Sequence, residues 1–217
     1  AQGYAKLATT PSDLGTGFTQ AERRLVSQAV LARCDALDGA TDGMVHVLNA
    51  TNGQELFAYI PSTSYQNLYS LASKSFSHKY FVDGTIKVVN VPDGANTRTI
   101  AVGTFGLGAQ GAWALDLTNL SDLASTQASA SSHLLWELTD SDAPQIGYIP
   151  NAPAIFAAAN DGDDSQWVAV FGNGYNASRS DSHADTTGEG ALIVVDLLTG
   201  AVERTLLTGK KAANDPT

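Results

Sequence analysis

Three segments of this chain repeat one pattern: a glycine, an alternating apolar strand, a terminal Asp or Asn, and a turn that contains Thr. The strands end at Asn49, Asp116 and Asp196, and each copy is followed by a further apolar strand. A side-chain oxygen at these positions can accept hydrogen bonds from N–H groups of the next turn. We therefore expect the terminal Asp or Asn to fix a hairpin. Other β-proteins also contain such hairpins. Three matching copies nevertheless favour a β-propeller whose blades exceed the usual ~40–45 residues because they carry insertions.

Most of the remaining sequence also has the period of two that is typical of strands, with Gly, Asn and Asp at the turns. This density of strands predicts an antiparallel, all-β fold. Two blades of four strands can be drawn, comprising 86–91, 99–105, 111–117 and 134–138, and then 154–159, 166–171, 191–197 and 202–207. A hairpin over 44–60 would be the outer half of a preceding blade. Because a propeller ring needs about 4–8 blades, the sequence predicts an incomplete propeller with uncovered blade faces that promote self-association.

Helical spacing of apolar residues occurs in two places. Residues 19–34 begin with a capping box of Thr19 and Glu22 and are predicted to be a helix, although a strand over 25–31 remains an alternative. Residues 64–75 predict a second short helix. The predicted organisation is an N-terminal arm and helix over 1–40, a partial propeller over 41–209 and a C-terminal tail over 210–217.

Composition excludes several classes of protein. The net charge is −10, from 12 Lys and Arg against 22 Asp and Glu, which argues against a nucleic-acid partner. The single cysteine, Cys34, excludes an intrachain disulfide and a cysteine zinc cluster. The longest apolar runs, such as residues 152–159, are far shorter than the roughly 20 residues of a transmembrane helix. The first residues do not have the pattern of a signal peptide, although one could lie upstream.

A glycine-rich motif of the GxGxxG type is formed by Gly106, Gly108 and Gly111. A dinucleotide site requires a helix after such a motif, because the N–H groups at the helix N-terminus bind the pyrophosphate. Residues 112–117 instead have the pattern of a strand. The sequence therefore predicts a glycine-rich hairpin with no nucleotide site.

An acidic segment over residues 160–164 is the candidate metal site. Asp161, Asp163 and Asp164 could supply several of the 6–8 oxygen ligands that calcium prefers. The spacing of an EF-hand is absent, and an Asp-rich turn between two strands is the favoured interpretation. A second polar loop contains Asp181, His183, Asp185 and Glu189, and is interpreted as a solvated loop.

Two other groups of side chains are candidates for functional sites. Three tryptophans on three strands, Trp113, Trp136 and Trp167, are predicted to lie in the core between blades. The four histidines are not accompanied by a GxSxG nucleophile motif, and no catalytic residue is predicted.

The segment Thr41–Pro61, with the sequence TDGMVHVLNATNGQELFAYIP, resembles a signature of PilY/PilC-type pilus proteins. The resemblance continues in order through Tyr65–Tyr69, His78–Thr85, Gly106–Asp116, Phe171–Asn176 and Leu192–Asp196. It implies a quinoprotein-like propeller in the C-terminal half of a large exported protein. The family's calcium loop would follow Thr217. Residues 1–40 do not match the family pattern.

The resemblance implies a non-enzymatic role in type IV pilus biogenesis and adhesion, at the cell surface or pilus tip. Pilin or minor pilin subunits are the expected partners, together with a host-surface ligand. A quinone-dependent dehydrogenase and a periplasmic scaffold propeller are the alternatives. Cys34 alone cannot form the adjacent-cysteine pair that is familiar in such dehydrogenases.

Overall fold

The computed structural model describes residues 44–72, 75, 77–120, 132–158, 166–175 and 188–211. The chain divides into two compact units, residues 1–39 with 46–58 and residues 40–45 with 59–217. The helix predicted over 19–34 lies outside the described residues.

Strands β1 (Val45–Leu48) and β2 (Glu55–Tyr59) form a two-stranded sheet. Gly53 has a φ of 72°, which favours glycine, and its N–H donates to the Asn49 carbonyl at 2.7 Å. The His46 ring nitrogen Nδ1 lies 2.6 Å from a carboxylate oxygen of Glu55. The hairpin predicted over 44–60 is therefore confirmed.

Two four-stranded antiparallel sheets follow along the chain. The first contains β3 (Ile86–Asp93), β4 (Asn96–Thr104), β5 (Gly111–Asp116) and β6 (Leu134–Thr139). The second contains β7 (Ala154–Ala157), β8 (Trp167–Gly172), β9 (Glu189–Asp196) and β10 (Val202–Lys211). In both sheets each strand pairs with its neighbour in sequence, as the two predicted blades require.

One described helix lies between β2 and β3. It is a 3-10 helix over Ser62–Ala72, which places the predicted helix slightly earlier in the chain. None of the described helices is long and apolar enough to span a membrane. Strand β10 continues through Lys211, past the predicted boundary of the propeller at residue 209.

The two sheets share one hydrophobic core because alternate side chains of each face the other. The first sheet contributes Ile100, Val102, Ala112, Ala114, Trp136 and Leu138, and the second contributes Ala169, Phe171, Ile193, Val195 and Leu197. The rings of Trp136 and Phe171 meet edge to face with centroids 6.5 Å apart. Trp136 Nε1 also donates to the Leu197 carbonyl at 2.9 Å. The described part of the chain is thus an incomplete propeller.

The tryptophans lie in the core, as the sequence predicts, but on two different faces. Trp136 and Trp167 contact the cluster between the sheets, where Trp167 is only partly buried. Trp113 is fully buried, and it pairs across the strands with Gly103 on the opposite face of the first sheet. Full burial of a large apolar side chain, as at Trp113, stabilises a fold by roughly 1.5–3 kcal/mol.

Candidate functional site

The candidate calcium ligands Asp161, Asp163 and Asp164 lie outside the described residues. The structure describes the strands on either side of this segment, where Ala157 pairs with Trp167 and the Ala158 N–H donates to the Gln166 carbonyl at 2.8 Å. Of the second polar loop only Glu189 is described, at the start of β9. Among the residues that the structure describes, no group of three His, Cys, Asp or Glu side chains could hold a metal ion.

The glycine-rich motif connects β4 and β5 in a tight hairpin, as the sequence predicts. The Phe105 N–H donates to the Gly111 carbonyl at 3.2 Å, and the Leu107 N–H donates to Asp83 Oδ1 at 2.7 Å. A Cβ atom at Gly108 would lie 1.9 Å from the Phe81 carbonyl oxygen. The glycine is needed because the loop lies directly against the backbone near Phe81. Strand β5 begins at Gly111, so a strand follows this motif where a dinucleotide site would place a helix.

The repeated Asp or Asn fixes its turn in all three copies. The Thr51 N–H donates to Asn49 Oδ1 at 2.9 Å, and the Thr118 N–H donates to Asp116 Oδ1 at 2.9 Å. In the third copy, the N–H groups of Leu198 and Thr199 donate to Asp196 Oδ1 at 3.1 and 2.8 Å. The role predicted for these residues is confirmed, and it is structural.

Asp116 additionally forms an ion pair within the first sheet. Arg98 Nη2 and Nε donate to Asp116 Oδ2 at 2.7 and 3.1 Å. Burial alone would raise the pKa of Asp116, but hydrogen bonds from Thr118 and Arg98 outweigh it and hold that pKa below its ordinary value. The carboxylate is therefore stabilised in its charged form by the turn and the pair together.

Acid should weaken the first sheet through Asp116. Because its pKa is lowered in the native state, its contribution is present above the unfolded pKa of about 3.9 and is lost as the pH falls through the native pKa. We expect Asp116→Asn to reduce the free energy of unfolding at pH 7 by about 1 kcal/mol. Below about pH 4, the melting temperature of the variant should fall less steeply with decreasing pH than that of wild type. Asp93→Asn, at the exposed end of β3, is the control and should keep the wild-type acid profile.

The segment Phe171–Tyr175 joins two parts of the second unit. The Asn173 side chain donates to the Glu189 carbonyl at 2.9 Å and accepts from the Ala191 N–H at 3.0 Å. Tyr175 pairs with Tyr148 in an isolated antiparallel bridge, and their ring centroids are 5.4 Å apart. A side chain at Gly174 would meet the Tyr148 carbonyl at 2.0 Å. These contacts give Asn173, Gly174 and Tyr175 structural roles in the second unit.

A carboxylate that sequence reasoning missed anchors the chain after β2. Glu137 on β6 accepts a hydrogen bond from the Tyr59 hydroxyl, from the Ser62 hydroxyl and, at 2.9 Å, from the Ser62 N–H. The Tyr59 ring also contacts Trp113, with centroids 5.9 Å apart. The sequence does show that Glu137 is a charged residue on a strand, between the core residues Trp136 and Leu138. Its partners Ser62 and Tyr59, however, lie 75 and 78 residues away in sequence.

A family model described as the PilY1 beta-propeller domain matches residues 4–215. A type IV pilus biogenesis factor PilY1 homolog of Xylella fastidiosa is 34% identical over 75% of this chain and 12% of its own length. PilY1 of Pseudomonas aeruginosa, also named a type IV pilus biogenesis factor, is 32% identical over 79% of this chain and 13% of its own length. The chain thus spans about an eighth of the length of these curated relatives.

A solved structure gives the same relationship. The crystal structure of the Pseudomonas aeruginosa PilY1 C-terminal domain matches with a TM-score of 0.57 and 30% identity, over 81% of this chain and 30% of that one. Both four-stranded sheets and the repeated turns described above have the form expected of propeller blades. The chain therefore belongs to the family of PilY1 β-propeller domains.

Proposed function

We propose that this chain acts in type IV pilus biogenesis and in surface adhesion as a non-enzymatic propeller region. Its partners in this proposal are pilin or minor pilin subunits and a host-surface ligand, and it works at the cell surface or pilus tip. The observation that carries the proposal is its similarity, over three quarters of its length, to proteins named type IV pilus biogenesis factors.

The geometry supports a role through contacts between proteins. The distinctive polar residues of the described sheets form turns and junctions, as Asp116, Asp196 and Glu137 do. Large apolar side chains of the second sheet, among them Phe156 and Leu192, are half exposed in the part of the chain that the structure describes. Exposed apolar surface of this kind is typical of an interaction site.

Deletion of the gene in its own organism tests the role in biogenesis. We expect less surface pilin in the sheared fraction at unchanged total pilin, with restoration by the wild-type gene. Complementation with Glu137→Ala, which removes the anchor of Tyr59 and Ser62, should be weaker than with the exposed-site control Glu203→Ala. Normal surface pilin in the deletion strain would contradict the proposal. Equal complementation by the two variants would also contradict the proposal, provided that Glu137→Ala had lowered the abundance of the protein.

Adhesion and partner contact need separate measurements. Adherence to host cells should be scored per surface pilus, so that a loss of pili is not counted as a loss of adhesion. We expect minor pilins to co-purify with the protein from the sheared fraction. Equal adherence per pilus would remove the adhesive part of the proposal, and an absence of pilins would remove the proposed partners.

The non-enzymatic part is tested against a quinone-dependent dehydrogenase. The protein is mixed with a quinone cofactor and calcium, passed through a desalting column and scanned for absorbance. We expect the chromophore to be removed by the column. A chromophore that stays with the protein in a fixed ratio would favour the dehydrogenase.

Calcium binding by Asp161, Asp163 and Asp164 is tested by the melting temperature. A ligand that binds only the native state raises the melting temperature, by mass action. We expect no rise with excess calcium, because an Asp-rich turn is the favoured interpretation of this segment. A rise that disappears on replacing Asp161 and Asp163 by Ala would instead assign a calcium site to the loop.

A further inference from the structure

Asparagine precedes glycine at two places in the sequence, Asn52 and Asn173. At such a pair, the backbone nitrogen of the glycine can attack the carbon of the asparagine side-chain amide and release ammonia. Glycine favours this attack because it has no Cβ to shield the nitrogen or to restrict rotation of the peptide. In a native protein, the rate of attack depends on the free energy needed to release the asparagine side chain and the following peptide from their contacts.

The turn that contains Asn52 repeats the turn between β9 and β10 bond for bond. The equivalent hydrogen bonds are Gly53 N–H to the Asn49 carbonyl at 2.7 Å with Gly200 N–H to the Asp196 carbonyl at 3.0 Å, and Gln54 N–H to Asn52 Oδ1 at 2.9 Å with Ala201 N–H to Thr199 Oγ1 at 3.3 Å. Both glycines have a positive φ, 72° and 75°. Thr199 supplies the oxygen that Asn52 supplies, so this turn requires a side-chain acceptor but not an amide group.

Few contacts hold Asn52 in its turn. Residues 50–55 are all exposed. The Asn52 side chain accepts the bond from the Gln54 N–H, and its Nδ2 has no hydrogen-bond partner among the described residues. That bond and the bond of the Gly53 N–H both lie within the turn itself. Freeing the Asn52 amide and the Gly53 nitrogen therefore breaks two exposed hydrogen bonds.

More contacts hold Asn173, which is partly buried. Its Nδ2 donates to the Glu189 carbonyl at 2.9 Å, its Oδ1 accepts from the Ala191 N–H at 3.0 Å, and its carbonyl accepts from the Gly147 N–H at 2.7 Å. All three bonds must break before the side chain and the nitrogen of Gly174 can turn toward each other. The space beside Gly174 is also filled, since a Cβ atom there would lie 2.0 Å from a backbone oxygen of a neighbouring segment.

We propose that Asn52 is a site of spontaneous deamidation in the native protein, and that the native contacts protect Asn173 from the same reaction. The Gly53 nitrogen bonds to Cγ of Asn52, the Cγ–Nδ2 bond breaks, and the proton of the Gly53 nitrogen leaves with Nδ2 as ammonia. Water then hydrolyses the resulting succinimide at one of its two carbonyls, which gives aspartate or isoaspartate. No electrons are transferred, and the net reaction replaces an amide by a carboxylate.

The two products affect the turn differently. Aspartate keeps an oxygen that accepts from the Gln54 N–H, whereas isoaspartate lengthens the backbone by one carbon inside a turn that the bond from Gly53 to Asn49 closes. Either product adds a negative charge to the hairpin of β1 and β2. The turns that follow Asp116 and Asp196 contain no Asn-Gly pair, so this modification distinguishes the first copy of the repeat from the other two.

The experiment compares the two asparagines within one protein. The purified full-length gene product is incubated at neutral pH, digested and mapped by mass spectrometry, and each deamidated peptide is compared with synthetic aspartate and isoaspartate peptides. A parallel sample in denaturant gives the rates of both sequences without native contacts. We expect similar rates in denaturant. In the native protein, Asn52 should react at least about tenfold faster than Asn173, because its reaction breaks fewer and more exposed hydrogen bonds.

Asn52→Thr is the matched variant, because it copies Thr199 of the equivalent turn. It should melt within about 2 °C of wild type, show no change of mass at residue 52 and leave the rate at Asn173 unchanged. A native rate at Asn52 that does not exceed the rate at Asn173 would overturn the proposal, and so would an Asn52 that reacts only in denaturant.

Discussion

Replacing Glu137 by Ala is expected to lower the free energy of unfolding by about 2–4 kcal/mol. The carboxylate accepts three hydrogen bonds, from the Tyr59 hydroxyl and from the N–H and hydroxyl of Ser62. A hydrogen bond to a charged group contributes about 1.5–3 kcal/mol when it is buried, and partial exposure of this site reduces the total. The loss should be measured by chemical denaturation. Glu203→Ala, at an exposed position on β10, is the control and should change stability by less than about 0.5 kcal/mol.

The hydrogen bond between Tyr59 and Glu137 should also make the stability of the protein sensitive to alkali. Burial, followed by the hydrogen bond to the Glu137 carboxylate and its charge, raises the pKa of Tyr59 well above its ordinary value. Tyrosine in the unfolded chain ionises near pH 10, whereas native Tyr59 keeps its proton there. The unfolded state then binds fewer protons, so stability falls as the pH rises above about 10, by up to about 1.4 kcal/mol per pH unit.

Two tyrosine variants isolate that effect. Tyr59→Phe should be less stable at pH 7, because Glu137 loses a donor, and should lose less stability than wild type between about pH 10 and 11. Tyr80→Phe, at a site that is 50% exposed, should follow the wild-type profile. Parallel alkaline profiles of wild type and Tyr59→Phe would contradict the assignment of the alkaline loss to Tyr59.

Adding one methyl group at Gly108 is the second large perturbation. In Gly108→Ala the new carbon would lie 1.9 Å from the Phe81 carbonyl oxygen and 2.2 Å from its carbon. These neighbours are backbone atoms, so the loop must move as a whole, which loses the bond from Leu107 N–H to Asp83. We expect a loss of about 3 kcal/mol or more, the upper range for overpacking, because two segments must separate.

Gly172→Ala provides the matched control for this clash. It adds the same methyl group at the end of β8, where nothing lies within 4 Å of the new carbon. The variant should be as stable as wild type within about 0.5 kcal/mol, or slightly more stable because alanine restricts the unfolded chain. Equal stability of Gly108→Ala and Gly172→Ala would contradict the packing of the glycine-rich loop on Phe81.

The strands were predictable because their signals are local. Alternation of apolar residues and turns of Gly, Asn and Asp specify β3 to β10, and the repeated Asp116 and Asp196 identify equivalent strands. The predicted role of these aspartates needs only contacts within three residues, and the structure confirms it.

The hydrogen bonds of Glu137 were not predictable because no sequence pattern near Glu137 indicates them. Its partners Tyr59 and Ser62 lie in another element, and the pairing depends on the face of β6 to which position 137 points. The glycine-rich sequence predicts the hairpin that contains Gly108, but the close approach of Gly108 to Phe81 depends on how two loops meet. The predicted calcium ligands remain a prediction from composition, since Asp161, Asp163 and Asp164 lie outside the described residues.

The pairing of every sheet strand with its sequence neighbour has a consequence for folding kinetics. In both four-stranded sheets the hydrogen-bonded partners follow each other directly along the chain. Because closing a short loop costs less entropy than closing a long one, pairing between sequence neighbours costs less entropy than pairing between distant strands, even where residues 117–133 separate β5 from β6. We expect the sheets to form in sequence order during synthesis, each on the apolar face of the one before it. A sheet that forms in this way needs no residue that follows its last strand in the chain.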